Sequence, residues 1–155
     1  MVVQRLVSEV MTQPVISVTP QTSLQEAVKL LSEHHISGLP VVEGQKLVGE
    51  LSEQQLMARE TGFDAGPYVM LLDSVIYLKN PLQWDKEVHQ VLGNSVAELM
   101  AGHPHTCKPE LSLPAAAKLL QDRSTQRLFV TDSQQSLVGV LTRGDVVRAL
   151  AEAGA

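Results

Sequence analysis

The residues best suited to chemistry lie in one short segment, Gly139-Val-Leu-Thr-Arg-Gly-Asp145, where a strand pattern ends and a helix pattern begins. The start of a helix offers free backbone N–H groups and the positive end of the helix dipole, and both favour a phosphate group. Thr142 adds a hydroxyl, and Arg143 adds a bidentate donor for phosphate oxygens. The Asp145 carboxylate can accept two hydrogen bonds at once, as the 2′,3′-diol of a ribose requires.

The same residues also have a purely structural interpretation. The pattern from Thr142 to Asp145 is close to a capping box, in which the N-cap side chain and an acidic side chain three positions later satisfy each other's backbone groups. The corresponding segment earlier in the chain, Ser52-Glu-Gln-Gln55, is a regular capping box. On these residues alone, the binding and the capping interpretation both remain open.

The predicted helices and strands that hold these residues form an internal repeat. Met100 follows Met11 by 89 positions and Gly139 follows Gly49 by 90, so the second copy has gained one residue. Each copy follows the order β-α-β-β-α, beginning in the first copy with a β-branched strand at 15–18. This order predicts an α/β fold of the α+β kind, with two copies related by a pseudo-two-fold axis.

The repeat also sets the domain boundaries. We assign residues 1–57 to the first copy, 58–94 to an insert and 95–155 to the second copy. The insert holds Trp84, the single tryptophan, and both tyrosines, and it is too apolar for a solvated linker. We expect it to cover the repeats or a second subunit, with a lid over one ligand cleft as the alternative.

Composition narrows the class of partner and the cellular compartment. The chain has 155 residues, of which 44% are hydrophobic and only 3% aromatic, so the core must be mainly aliphatic. A net charge of −5 without a long basic run argues against nucleic acid or an anionic membrane as the main partner. No apolar run approaches the length of a membrane span. The single cysteine, Cys107, excludes an intrachain disulfide and fits a reducing, cytoplasmic compartment.

Other reactive residues do not combine into a catalytic or metal site. His103, His105 and Cys107 alternate and have types that suit zinc or copper, but Pro104 interrupts them and no fourth ligand is evident. We therefore expect a partly buried strand end there and no metal. Cys107 has no identifiable activating base, and no nucleophile–base pair stands out elsewhere, so we expect no enzyme activity.

The repeat and its motifs together resemble the CBS domain family. The resemblance rests on Val10 to Pro20, on Ile36-Ser-Gly-Leu-Pro-Val-Val42 and on Gly139 to Asp145, and it covers nearly the whole chain outside the insert. It implies a tandem pair, or Bateman module, whose sheets pack face to face and leave two clefts for adenosine-containing ligands such as AMP, ADP or ATP. It also implies a homodimer that acts through an effector protein, which the sequence does not identify.

The resemblance implies a main site in the second copy, made of Thr142, Arg143, Asp145, Thr106, Lys108, Val140 and Phe129. Asp145 would hold the ribose and Thr142 the ribose or phosphate, while Thr106 and Lys108 lie in the segment that meets the adenine edge. Arg143 and Lys108 could serve one phosphate or three. Phe129 stands where the family usually has proline, and its ring could stack on adenine or narrow the slot.

The corresponding cleft of the first copy would comprise Ser52, Gln55, Ser17, Gly38 and Pro40. Gln55 replaces the ribose-binding aspartate, and the loss of the charged, bidentate acceptor costs about 1–2 kcal/mol. We therefore predict one strong cleft and one weak or empty cleft in a regulatory module that senses adenine nucleotides. The alternatives are a ligand-independent dimerisation or interaction module and a nucleotide hydrolase.

Overall fold

The computed structural model describes residues 5–58 and 94–153. The predicted insert at 58–94 lies outside the described residues except for its two end residues. The cover and lid interpretations of that insert therefore stay predictions.

The first copy contains three helices and a β-hairpin. The helices are α1 (Val7–Val10), α2 (Leu24–Glu33) and α3 (Glu53–Ala58), and the hairpin strands are β1 (Gly38–Glu43) and β2 (Lys46–Ser52). The helix α2 begins after a serine cap, since the Ser23 hydroxyl accepts a 3.1 Å hydrogen bond from the Glu26 N–H. Gly44, at φ +64°, makes the hairpin turn in the left-handed region that favours glycine.

The first strand predicted for this copy, at 15–18, is reduced to a single parallel bridge between Val18 and Val41. The Val18 N–H donates to the Pro40 carbonyl, and the Val42 N–H donates to the Val18 carbonyl. Pro20 and Pro40 lack the backbone N–H groups that would donate the next bonds on the two sides of Val18, so the pairing cannot extend in either direction.

The second copy contains a short 3-10 helix (Val96–Glu98), the strands β3 (Thr106–Cys107), β4 (Arg127–Thr131) and β5 (Leu137–Thr142), and the helices α4 (Leu113–Leu120) and α5 (Arg143–Ala153). The strands form one sheet in the order β3-β4-β5, parallel between β3 and β4 and antiparallel between β4 and β5. Two small sheets with helices confirm the predicted α+β class.

The described residues form two compact units that do not follow the sequence repeat. The first-copy unit contains residues 17–43, 48–58 and 94–102, and the second-copy unit contains 5–16, 44–47 and 103–153. Each unit therefore takes in the N-terminal residues of the other copy. The Thr12 N–H donates to the Val140 carbonyl in the second-copy unit, and the Glu50 N–H donates to the Ala101 carbonyl in the first-copy unit.

The sheet of the second-copy unit is buried on the face that its helices cover. Leu128, Val130 and Leu141 pack there with Ala116 of α4 and Val146 of α5 in one hydrophobic core. All five residues of β4 are buried, as expected for the central strand of the sheet. Among residues 5–58 and 94–153, no helix is long and apolar enough to cross a membrane.

Candidate functional site

The junction between β5 and α5 forms a capping box around a buried carboxylate. Asp145 lies in the first turn of α5 and its side chain is only 2% exposed. Its Oδ2 atom accepts a 2.9 Å hydrogen bond from the Thr142 N–H and a 3.2 Å bond from the Thr142 hydroxyl. The Asp145 N–H in turn donates to Thr142 Oγ1 at 3.4 Å. The predicted structural role of this pair is therefore present in the structure.

The other carboxylate oxygen of Asp145 receives two donors that the sequence did not indicate. The Thr12 hydroxyl donates to Oδ1 at 3.0 Å, and Arg148 donates to the same oxygen from Nη2. Arg148 is three positions after Asp145, a spacing that places both on one helix face and could have revealed this contact. Thr12 is 133 positions away, and no local pattern could have found it.

The four donors around Asp145 together fill the acceptor capacity of a carboxylate, which has about four lone-pair sites. A ribose diol can therefore bind only by replacing some of these donors. The Thr142 N–H is fixed by the backbone. The two hydroxyls can rotate, and the Arg148 side chain is 68% exposed and can move into solvent.

A row of three predicted site residues crosses the sheet beside this carboxylate. Thr106 of β3 is paired with Phe129 of β4, and Phe129 is paired with Val140 of β5. Paired residues in neighbouring strands share a face, and these lie on the face opposite the helix-facing core. The bridge between Thr12 and Val140 continues the row. The structure therefore places Thr106, Phe129 and Val140 in one row that ends beside Asp145, with the Phe129 side chain only 1% exposed.

The two predicted phosphate-binding cations contact backbone carbonyls in this structure. Arg143 donates from Nε to the Leu120 carbonyl at 2.8 Å, and from Nη2 to the Asp122 and Thr125 carbonyls at 3.0 Å each. These bonds satisfy carbonyls at and after the C-terminus of α4. The Lys108 ammonium donates to the Asp132 carbonyl at 2.8 Å. The phosphate roles of Arg143 and Lys108 stay predictions.

The counterpart in the first-copy unit has different chemistry. Gln55 Oε1 accepts from the Ser52 N–H at 2.7 Å and from the Ser52 hydroxyl at 2.6 Å. Ala101 forms a β-bridge with Glu50, as Thr12 does with Val140 in the other unit. The position that supplies a hydroxyl in one unit therefore carries a methyl group in the other. This unit therefore has an amide where the other has a carboxylate.

The remaining residues of the predicted weaker cleft also lie in the first-copy unit. Gly38 and Pro40 are buried in β1, whereas Ser17 is exposed. The bridge between Val18 and Val41 sets Ser17 beside Pro40, as β3 pairing sets Thr106 beside Phe129. The backbone geometry of the two rows is thus shared, and the side chains differ.

Cys107 is buried in β3, and burial raises the pKa of its thiol to about 11. His103 and His105 precede that strand and are exposed. Within the described parts of the chain, no three His, Cys, Asp or Glu side chains are placed to hold a metal ion. At neutral pH the Cys107 thiol is protonated, which makes it a weak nucleophile.

Comparison with known proteins shows similarity along the whole chain. The CBS domain family model matches residues 7–61 and 96–152. The chloroplastic CBS domain-containing proteins CBSX1 and CBSX2 of Arabidopsis thaliana are 37% and 36% identical over 137 residues, which cover 85% of this chain. The chain spans 57% of the length of each of these two relatives.

Solved structures extend this similarity to the fold. The crystal structure of the CBS-pair protein CBSX2 from Arabidopsis thaliana matches with a TM-score of 0.77 and 30% identity, over 98% of both chains. A crystal structure of CBSX2 in complex with AMP matches with a TM-score of 0.72 and 31% identity, over 97% of this chain and 98% of the other.

Proposed function

Because this chain belongs to the CBS domain family and carries two copies of the domain, we propose that it is a regulatory module. The module binds AMP, ADP or ATP and modulates a partner protein. Its role is binding without catalysis. The AMP complex of CBSX2, a relative that matches almost the whole chain, supports an adenine nucleotide as the ligand class.

The observation that carries this proposal is the buried carboxylate of Asp145 at the end of a sheet row. The carboxylate provides charged, paired acceptors for the ribose hydroxyls, and Thr142 provides a hydroxyl at the start of α5. Val140 is partly exposed in the same row and offers apolar surface for a base, whereas Phe129 beside it is only 1% exposed. These groups suit the three parts of a nucleotide.

The main site belongs to the second-copy unit, and the first-copy unit holds a weak or empty one. Gln55 replaces the carboxylate that Asp145 supplies. An amide oxygen accepts ribose hydroxyls without charge assistance, so its hydrogen bonds to them are weaker. We therefore propose one nucleotide per chain at concentrations that saturate the main site.

Exposed apolar side chains lie on two helices of the second-copy unit. Leu119 on α4 and Val147 and Leu150 on α5 are 46%, 63% and 63% exposed, and these apolar side chains support a homodimer built on the helices. An effector protein of unknown identity binds the module, and a bound nucleotide changes the affinity of that effector for the module. We place the module in a reducing compartment such as the cytoplasm, although its Arabidopsis relatives are chloroplastic.

Calorimetric titration with AMP, ADP and ATP tests the proposal, with Asp145→Asn as the diagnostic variant. We expect one equivalent of ligand per chain, and an affinity reduced roughly five- to thirty-fold in Asp145→Asn. The matched control is Gln55→Ala, at the equivalent position of the weak site, which should leave the main site unchanged. Two equal sites, or an Asp145→Asn variant that binds as tightly as the parent chain, would contradict the proposal.

A ligand-independent interaction module is the second candidate, and one observation favours it. All four lone-pair positions of Asp145 already have donors within the protein, as in a purely structural cap. Thermal denaturation separates the two functions, because a ligand stabilises the native state by RT ln(1 + [L]/Kd). A melting temperature that stays constant with every adenine nucleotide favours the interaction module.

A further inference from the structure

We propose that Arg148 enables this site to distinguish a nucleotide from a nucleoside: the ribose displaces its guanidinium from Asp145, and the guanidinium then pairs with the phosphate. This inference rests on the proposed function, because it concerns the same site. It assigns the phosphate contact to a residue that the motif does not include.

The position of Arg148 fits this exchange. Its Nη2 donates to Asp145 Oδ1, yet its side chain is 68% exposed while that of Asp145 is 2% exposed. Its Nη1 would be 3.6 Å from a Cβ atom built on Gly144, so the guanidinium lies over the first turn of α5. A phosphate at the start of this helix would therefore find a cation and the positive end of the helix dipole in one place.

The hydrogen bonds of Asp145 explain why the ribose releases Arg148. Two ribose hydroxyls need two acceptor positions, and the carboxylate has none to spare while its four present donors are bound. The Thr142 N–H cannot leave, because it belongs to the cap of α5. Two donors can leave: the Thr12 hydroxyl can rotate away, and Arg148 can be released because its side chain is 68% exposed and its guanidinium can be hydrated.

The cost of this release differs between a nucleoside and a nucleotide. A nucleoside removes the carboxylate partner of Arg148 and offers the guanidinium no replacement. A nucleotide offers a phosphate, whose oxygens accept the bidentate fork of an arginine with charge assistance. Recognition of the ribose and recognition of the phosphate are coupled through one side chain.

Arg143 is less suited to this role. Its guanidinium already donates to the carbonyls of Leu120, Asp122 and Thr125. Moving it toward a ligand would leave these carbonyls at the end of α4 without that donor. Arg148 leaves behind only a carboxylate oxygen, which the ribose then uses.

Titration of AMP and adenosine into the parent chain, Arg148→Gln and Arg5→Gln tests the exchange. For the parent chain we expect AMP to bind at least roughly tenfold more tightly than adenosine. In Arg148→Gln the AMP affinity should fall and the adenosine affinity should stay or rise, so that the two become nearly equal. Arg5→Gln is the matched control: it removes the same charge from a surface ion pair with Glu152, seven residues along α5 from Asp145.

Opposite changes in the AMP and adenosine affinities distinguish this role from a structural role. Loss of a purely structural contact would weaken the binding of both ligands. Arg148→Lys should retain part of the preference for AMP, because an ammonium keeps the charge without the fork. If the parent chain binds both ligands and Arg148→Gln keeps the same ratio of AMP affinity to adenosine affinity, this inference alone is overturned. A parent chain that binds neither AMP nor adenosine would overturn the proposed function and this inference together.

Discussion

The hydroxyl of Thr12 donates a 3.0 Å hydrogen bond to Asp145, although 133 positions separate the two residues. Backbone pairing makes this contact possible, because the Thr12 N–H donates to the Val140 carbonyl at 2.8 Å and the Val140 N–H donates back to the Thr12 carbonyl at 3.1 Å. The N-terminal segment of the first copy thereby completes the carboxylate environment of the second copy. In the other unit, Ala101 takes the place of Thr12 and Gln55 that of Asp145.

Replacing Thr12 by valine should have opposite effects on stability and on binding. The free energy of unfolding should fall by about 1 kcal/mol with the loss of one hydrogen bond. AMP affinity should rise roughly two- to tenfold, because the ligand has one donor fewer to displace from Oδ1. Urea unfolding and calorimetry measure the two quantities, and Thr12→Ser, which keeps the hydroxyl, should behave as the parent chain. A loss of AMP affinity in Thr12→Val would instead make the hydroxyl a direct ligand contact.

Transferring the carboxylate to the first-copy unit should create a second strong site. Gln55→Asp restores the carboxylate at the position equivalent to Asp145, and Ala101 has no hydroxyl that a ribose would have to displace. Calorimetric stoichiometry should rise from one AMP per chain to two. Ala101→Thr alone is the control and should stay at one. A folded Gln55→Asp variant that still binds one equivalent would show that further residues weaken this cleft.

The two equivalent glycines should differ in their tolerance of alanine. A Cβ atom on Gly49 would lie 2.7 Å from the Ala101 carbonyl oxygen, whereas one on Gly139 would meet the Met11 side chain, with Sδ at 2.3 Å. A methionine can change rotamer, but a paired backbone carbonyl cannot move aside. Gly49→Ala should therefore destabilise by about 1–3 kcal/mol, and more than Gly139→Ala does.

Urea unfolding compares these variants, with Gly102→Ala as the control because no atom lies within 4 Å of a Cβ built there. Its effect should stay within about 0.5 kcal/mol. Equal destabilisation by Gly49→Ala and Gly139→Ala would show that the Ala101 backbone yields as readily as the Met11 side chain.

The stability that depends on Cys107 should change with pH in the alkaline range. Burial raises the pKa of this thiol from 9.0 to about 11 in the folded chain, so the native state holds its proton more tightly than the unfolded state. The resulting contribution is complete below pH 9 and is lost as the pH rises through 11. The stability of the parent chain relative to Cys107→Ala, measured by urea unfolding, should therefore decrease between pH 9 and 11. A difference that does not vary with pH would mean that the thiol titrates alike in both states.

The local elements of the fold were predictable because short-range patterns decide them. Serine caps start α2 at Ser23 and α4 at Ser112, and both hydroxyls accept the hydrogen bonds that the motif requires. The hairpin of the first copy and the strand pair β4-β5 follow from apolar runs separated by turns. The strand at 15–18 was overestimated, because β-branched composition favours extension but does not supply a pairing partner.

Residue types at fixed spacing are enough to establish the family, the repeat and the difference between Asp145 and Gln55. The groups that surround the carboxylate are set by the tertiary structure. It placed Thr12 on Asp145, directed Arg143 to the carbonyls that follow α4, and left Arg148 over the first turn of α5. Thr12 and Arg143 meet partners more than fifteen positions away, and such contacts depend on how the chain folds back on itself rather than on any local pattern.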